Sequence, residues 1–346
     1  MNNFLLGCDW GTSSFRLRLL DVPGQSVIGE VVSDMGIAGM YESWQKRNEE
    51  NKTITREQLF REYLKKQIEE LSPHTSVKLE HVTILISGMA SSSIGMEDIA
   101  YAKVPFAING SGAIIKRFAA TDNFLHDIVL ISGVRSENDV MRGEETQVIG
   151  LLSLLKSSRG IPQEGVFIFP GTHSKHIYIQ NGELLKFQTF MTGELFKVMS
   201  QHSILKDSVQ VSDLNNFSDD DANAFKLGLQ EAKGSNILNG LFTVRTNQLF
   251  EKLDKKQNYF YLSGLLIGSE ISYFLNKNIP ILLCSGSNLH EYYKLAIDEY
   301  DLSESTTIIP NELVDKAALE GQRLIFEKHV LKDLANESKE IFVGFI

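Results

Sequence analysis

One pattern occurs twice in this chain and restricts what it can fold into: an apolar strand enters a Gly-Thr turn and returns as a second strand. The first copy is Phe4-Leu5-Leu6-Gly7-Cys8-Asp9-Trp10-Gly11-Thr12-Ser13-Ser14-Phe15-Arg16-Leu17-Arg18-Leu19-Leu20-Asp21. The second is Gly165-Val166-Phe167-Ile168-Phe169-Pro170-Gly171-Thr172-His173-Ser174-Lys175-His176-Ile177-Tyr178-Ile179-Gln180-Asn181-Gly182. Apolar runs joined by a short polar turn with glycine read as tight hairpins. Recurrence at long range signals duplicated architecture, so the chain is expected to have two related halves.

The turns carry the chemistry. Gly11 lets backbone come close to a ligand, and Thr12, Ser13 and Ser14 supply hydroxyls and consecutive N–H groups, the makings of an anion nest. Asp9, at the end of a strand, suits a hydrated Mg2+, which takes one or two carboxylates plus phosphate oxygens. An ordinary surface hairpin with a capping Asp is the plain alternative for the first turn taken alone. Gly171 and Thr172 repeat the arrangement. His173 is a proton carrier, a metal ligand or a polar turn residue bonding phosphate or backbone; the absence of a Cys or His cluster around it favours the last. A phosphate-holding hairpin in each half would clamp a nucleotide between them.

Composition narrows the class. At 346 residues the chain has room for two domains, and its 42% hydrophobic and 23% charged residues are those of a globular protein. A net charge of −10 argues against general nucleic-acid binding, yet leaves room for a phosphate site built from backbone amides. Only Cys8 and Cys284 are present, both within apolar runs, so neither a disulfide framework nor a zinc site is expected. The start of the chain has no basic, cleavable leader, and no apolar run reaches the length of a membrane span. A cytoplasmic protein without membrane or nucleic-acid partners is the expectation.

Along the chain, Val27 to Val32 reads as a third strand, and Tyr41 to Leu71 as largely helix, stopped by Pro73. Val82 to Ile86 and Ile128 to Ser132 are buried strands. The first runs into Ser87-Gly88-Met89-Ala90-Ser91-Ser92-Ser93-Ile94-Gly95, which has the look of a ligand loop at the carboxyl edge of an open sheet or of a plain connector. Glu144 and Glu145 open a helix, where acids commonly complement the dipole. Ser212 to Asp221 reads as a solvated acidic loop, Ala222 to Ala232 and Gln248 to Leu253 as helices. Tyr261 to Ile271 is an apolar helix whose Gly264 and Gly268 share one face for tight packing. Ile281 to Cys284 is a strand, and the following Ser285-Gly286-Ser287 turn suits a ribose or phosphate. Ile308 to Pro310 reads as a short strand and Val314 to His329 as a closing helix.

With these pieces assembled, the chain resembles the 2-dehydro-3-deoxygalactonokinase family, sugar-acid kinases of the actin-like ATPase superfamily. The matching segments are Asp9-Trp10-Gly11-Thr12-Ser13, Val140-Met141-Arg142-Gly143-Glu144-Glu145-Thr146-Gln147, Pro170-Gly171-Thr172-His173-Ser174-Lys175, Met191-Thr192-Gly193-Glu194-Leu195 and Leu262-Ser263-Gly264-Leu265-Leu266-Ile267-Gly268. They stand in family order over nearly the whole chain. Ser92, Ser93 and the stretch Gly133 to Asn138 depart from the family's forms, and Trp44 to Thr55 looks like a local insertion.

The resemblance implies an α/β fold of two ribonuclease-H-like (actin-like ATPase) domains, 1–140 and 141–346, with an inter-domain cleft for ATP and a small-molecule sugar acid. It also implies transfer of a phosphoryl group to the 6-hydroxyl of 2-dehydro-3-deoxy-D-galactonate, in galactonate breakdown. Asp9 would hold Mg2+. Gly11, Thr12 and Ser13, with Gly171, Thr172, His173 and Lys175, would bind phosphates, and Gly286 and Ser287 would border the adenosine. Met89, Ala90, Ser91, Ser92, Arg142 and Glu194 would meet the sugar acid. Glu144, after Gly143, is the candidate general base, with Glu145 as alternate and Asp139 behind both; Arg142 would fork the substrate carboxylate or brace Glu144. The oligomeric state is open between monomer and homodimer. A kinase for another sugar or sugar acid is the nearest rival, and a non-enzymatic nucleotide-gated switch the more distant one.

Overall fold

The computed structural model of the protein describes residues 3–23, 25–50, 54–156, 163–213, 217–234 and 236–331. The chain divides into two compact units, Met1–Ile161 with Gly182–Lys186 and Glu312–Ile346, and Pro162–Asn181 with Phe187–Asn311.

In the first unit, β1 (Phe4–Trp10), β2 (Phe15–Asp21) and β3 (Ser26–Ser33) form an antiparallel meander. Alternation decides its two faces. Leu6, Cys8, Trp10, Leu17 and Leu19 enter a core with Leu59, Phe60, Leu64, Ile68 and Leu71. The stretch expected to be largely helix holds two helices, α1 (Ile37–Glu50) and α2 (Arg56–Leu71). Thr55 and Gln58 start the second with a reciprocal capping box, so part of the supposed insertion is a helix start; residues 51–53 of it lie outside the described residues. Pro73 falls in the 3₁₀ turn that ends α2. The apolar run after it forms β4 (Ile84–Gly88), parallel to β1. Short strands follow: β5 (Ala102–Lys103), β6 (Phe106–Ala107) and β7 (Ile115–Phe118), then β8 (Ile128–Ile131), β9 (Val134–Arg135) and β10 (Val140–Met141). The main sheet runs β3-β2-β1-β4-β8-β7, and β10-β9-β5 make a small second sheet. Helix α3 (Glu144–Lys156) follows.

The second unit repeats the plan, although Glu183–Lys186, the first half of its third strand, group with the first unit. β11 (Glu164–Phe169), β12 (Ser174–Gln180) and β13 (Glu183–Phe190) are followed by α4 (Thr192–His202), α5 (Asp219–Gly234), α6 (Ile237–Leu249) and α7 (Lys255–Ile271). Then come β14 (Ile281–Leu283), α8 (Ser287–Glu299) and β15 (Thr306–Ile308). The order β13-β12-β11-β14-β15 matches β3-β2-β1-β4-β8 strand for strand. Both are third-second-first-fourth-fifth, with the second strand antiparallel to the first and the fourth parallel to it. The fold is α/β, with two ribonuclease-H-like units of the actin-like ATPase type.

Helices α5 and α7 lie unusually close. A Cβ on Gly264 would collide with the Phe225 carbonyl, and one on Gly228 with the Tyr261 carbonyl. Two expectations are corrected here. The helix expected at Gln248 to Leu253 lies earlier, as α6, which ends at Leu249; Asp254 and Gln257 cap α7 instead. The acidic stretch is not a solvated loop throughout: Asp219 to Asp221 open α5, and buried Asp221 is paired with Lys256 at 2.6 Å and Ser218 at 2.8 Å. Residues 214–216 of that stretch lie outside the described residues.

The final helix, α9 (Asn311–Phe326), returns to the first unit. Gly150 of α3 sits against the Ala317 carbonyl, and Gly321 of α9 against the Thr146 carbonyl. This close packing is why the compact units differ from a division at 140 and 141.

Candidate active site

The residues singled out by sequence form two clusters, one in each unit. In the first, the carboxyl ends of β1 and β4 meet the start of α3. Asp9 is paired across the sheet with Arg16 on β2 and Ser87 on β4. Two glycines in the left-handed region permit this convergence. Gly88 has φ +93°, and a Cβ there would press on the Trp10 carbonyl; Gly143 has φ +110°, and a Cβ there would lie 3.3 Å from Gly88 Cα. The Gly11 N–H closes the hairpin turn on the Ser14 carbonyl at 2.9 Å. The first N–H groups of α1, from Ile37 and Ala38, are donated to the carbonyls of Gly11 and Thr12 at 3.0 and 3.1 Å. Thr12 and Ser13 stand exposed at the tip.

The carboxylates of this cluster differ in environment. Burial pushes Asp9 up from the ordinary carboxylate range; Arg16 pulls it down and the charge of Glu144 raises it again. Glu145 is 2% exposed. One of its oxygens accepts the Gly143 N–H at 2.8 Å, the other the Thr146 hydroxyl at 2.9 Å. Burial, then the charge of Glu144, raises it to about 7 against those bonds. Glu145 thus closes the start of its own helix, while Glu144 is the half-buried member of the pair. Arg142 is committed to the loop after β4. Its Nη1 donates to Ser91 Oγ at 2.8 Å, its Nη2 to the Ile99 carbonyl at 3.2 Å and Asp98 at 3.4 Å, and its guanidinium lies 3.9 Å from the centre of the Tyr101 ring. Ser92 bonds the Met89 carbonyl at 2.7 Å, so Met89, Ala90, Ser91 and Ser92 form one ordered turn held by Arg142. Asp139 accepts the N–H of Val140 at 2.7 Å.

A magnesium ion suits the Asp9 end of this cluster. Burial and the neighbouring Glu144 both oppose the ionised form of Asp9, and a cation would reverse that opposition. Among the described residues no three or more His, Cys, Asp or Glu side chains gather into a metal cage. A hydrated ion on one or two carboxylates, completed by phosphate oxygens, needs none.

In the second cluster the Gly171-Thr172-His173 turn supports the start of α4. A Cβ on Gly193 would lie 2.6 Å from the Gly171 carbonyl, and the Glu194 N–H donates to the Thr172 carbonyl at 3.0 Å. The Glu194 carboxylate pairs with His173 Nε2, which joins a residue expected at the sugar acid to one expected at phosphate. Lys175 is buried, and its Nζ donates to the His173 carbonyl at 3.0 Å. Beside the turn opens a cavity of about 440 Å³, a size that takes a nucleoside. Gly171 and Gly193 line one part of it, Ser287 and Asn288 another, and Tyr259 and Tyr292 its apolar part. Helix α8 begins at Ser287 with no side chain capping it, leaving first-turn N–H groups of the kind that bind anions. Gly286 precedes it with open space where a Cβ would stand.

Sequence reasoning missed several contributors. Gln322 of α9 donates from Nε2 to the Cys8 carbonyl and Ser87 Oγ, both at 2.8 Å, and so holds the ends of β1 and β4. Asp315 takes Arg18 Nη2 at 2.7 Å and also pairs with Arg16. Phe196, Asp213, Tyr259 and Tyr292 line the cavity from four separate stretches. Phe196 and Tyr259 flank the segments that end at Leu195 and begin at Leu262, and the others lie outside the matching segments.

Known proteins carry the same pattern. The family model for 2-keto-3-deoxy-galactonokinase matches residues 9–321. A Rhizobium meliloti protein bearing the name 2-dehydro-3-deoxygalactonokinase is 30% identical over 304 residues, which cover 85% of this chain and 89% of that one. The Escherichia coli 2-dehydro-3-deoxygalactonokinase is 30% identical over 230 residues, covering 64% and 72%. A Sinorhizobium meliloti crystal structure described under the same activity superposes with a TM-score of 0.76 at 26% identity, covering 94% of this chain and 97% of that one. The matched span runs from Asp9 to Gly321, and so takes in both Gly-Thr turns, the Arg142–Glu145 segment and most of the closing helix: the chain belongs to the 2-keto-3-deoxy-galactonokinase family.

Proposed function

We propose that the protein transfers the γ-phosphoryl group of ATP to the 6-hydroxyl of 2-dehydro-3-deoxy-D-galactonate, releasing ADP and the 6-phospho sugar acid in the cytoplasm. The observation that carries this reading is the family match across residues 9–321, which includes the whole first cluster and both turns. Phosphoryl transfer asks for positioning and charge neutralisation more than for covalent chemistry.

Each side chain then has a role. Asp9 holds Mg2+, which when bound neutralises phosphate charge. Backbone amides of Thr12 and Ser13 hold phosphate oxygens in the first unit, where the Gly11 N–H is already donated to the Ser14 carbonyl, and those of Gly171 and Thr172 do so in the second. Glu144 accepts the proton of the 6-hydroxyl as that oxygen forms its bond to phosphorus and the bond to the ADP oxygen breaks. The bonds already made by Glu145 favour Glu144 for this step. Arg142 fixes the Met89 to Ser92 turn against the sugar acid. The cavity beside Gly171 takes the adenosine, with Ser287 at its edge.

A coupled ADP-release assay over a panel of keto-deoxy sugar acids and simple sugars tests the assignment. The galacto acid should lead in kcat/KM by about tenfold or more, the discrimination available to a site that hydrogen-bonds its substrate hydroxyls. A simple sugar or an epimeric acid turning over faster would replace it.

A further inference from the structure

We propose that Glu270, two residues beyond the Leu262–Gly268 segment, is the positioning residue that holds the nucleotide half-site of the second unit in register. It lies on α7 and is 2% exposed. Its Oε1 accepts Ser174 Oγ at 2.6 Å and His176 Nε2 at 2.9 Å; its Oε2 accepts the hydroxyl of Tyr293 at 2.8 Å and that of Thr192. The four donors come from three elements. Ser174 and His176 begin β12, directly after the Gly171-Thr172-His173 turn; Thr192 opens α4, which rests on that turn; Tyr293 belongs to α8. Thr192 and Tyr293 also line the cavity. One buried carboxylate therefore ties the turn, the start of α4 and the body of α8 to α7.

A carboxylate suits four converging donors, because it presents about four acceptor sites and no donor. An amide offers half as many and turns an NH2 group toward the donors. The ring of His176 is confined between Phe190 and Phe274, with centroids at 4.4 and 5.0 Å, and its Nδ1 has no partner among the described residues. Its only polar commitment there is to Glu270. The consequence for the reaction is directional: Glu270 touches none of the reacting atoms, but it sets where the phosphate-facing amides stand relative to the cavity.

The inference rests on ATP occupying this cavity. It is tested on the full chain by calorimetric titration with a non-hydrolysable ATP analogue, by KM for ATP and for the sugar acid, and by thermal midpoint. Glu270→Gln should weaken the analogue and raise KM for ATP by about tenfold to a hundredfold, the effect of breaking hydrogen bonds to a buried charge. KM for the sugar acid should stay within about twofold. Equal loss for both substrates, or a lower thermal midpoint with both KM values unchanged, overturns the inference, since lost packing alone produces those results. Wild-type protein that does not bind the analogue overturns the nucleotide reading of the cavity and this inference with it. If Glu270→Gln does not fold, Tyr293→Phe removes one donor and keeps the ring. KM for ATP should then rise about threefold with KM for the sugar acid unchanged, and an unchanged KM for ATP overturns the proposal.

Discussion

Glu145 gives the sharpest test of the electrostatics at the start of α3. Its carboxyl titrates at about 7 in the folded chain against an ordinary 4.5, first because it is buried and second because Glu144 is beside it. A gap of that size corresponds to about 3 kcal/mol. The folded state binds the proton more tightly than the unfolded one, so protonation of Glu145 stabilises the fold. That contribution is complete below about pH 4.5, declines as pH rises, and is lost above about pH 7. The Glu145→Gln variant has nothing to titrate there. Losing one acceptor for Gly143 or Thr146 should cost it a pH-independent amount of about 1 kcal/mol. The unfolding free energy of wild type minus that of the variant should therefore fall by about 3 kcal/mol between about pH 4.5 and pH 8. Urea unfolding followed by tryptophan fluorescence suits the measurement, because both tryptophans, Trp10 and Trp44, belong to the unit that contains Glu145. A difference constant within about 0.5 kcal/mol over that range would refute the reasoning.

Asp9→Asn should lower turnover by about a hundredfold or more with a thermal midpoint no lower than that of wild type, since it removes a charge that burial and Glu144 oppose; near-normal ADP release at ordinary Mg2+ would remove Asp9 from the metal role. Glu144→Gln should cut kcat by about a hundred to ten thousand fold while binding of the ATP analogue stays as in wild type. A variant keeping more than about a tenth of kcat would send the search to Asp139. Gly264→Ala should cost about 1–3 kcal/mol in the second unit, since its methyl meets the Phe225 carbonyl; calorimetry showing an unchanged midpoint would refute so close an approach of α5 and α7.

The parts legible in the sequence were those with strong local signals. The β1–β2 hairpin, β11–β12 and the buried strands β4, β8 and β14 announce themselves as apolar runs bounded by turn residues, because a strand covered on both faces needs no polar alternation. Two-residue strands such as β5, β9 and β10 have no room for a period, and α6 was misplaced because its mixed surface gives no clear stripe. At the candidate site, Asp9, Glu144 and the Gly-Thr turns stand out in the sequence by residue type and position. What Arg142 does is not visible there: its partners Ser91 and Ile99 are more than forty positions away. Gln322 and Glu270 were hidden for the same reason. A single polar residue on an apolar helix shows its purpose only when distant donors and acceptors are folded around it.

The return of α9 to the first unit has a consequence for how the protein is made. Residues 4–156 leave the ribosome first, yet the nascent chain lacks Gln322 to bond the Cys8 carbonyl and Ser87, and lacks Gly321 and Ala317 to cover α3. Residues 162–311 emerge next and contain β11 to β15 with α8, so the second unit has its own five strands before α9 is made. Vectorial synthesis ordinarily completes the N-terminal domain first; here the order is reversed. The half that carries Asp9 and Glu144 is completed last, once α9 has packed onto α3.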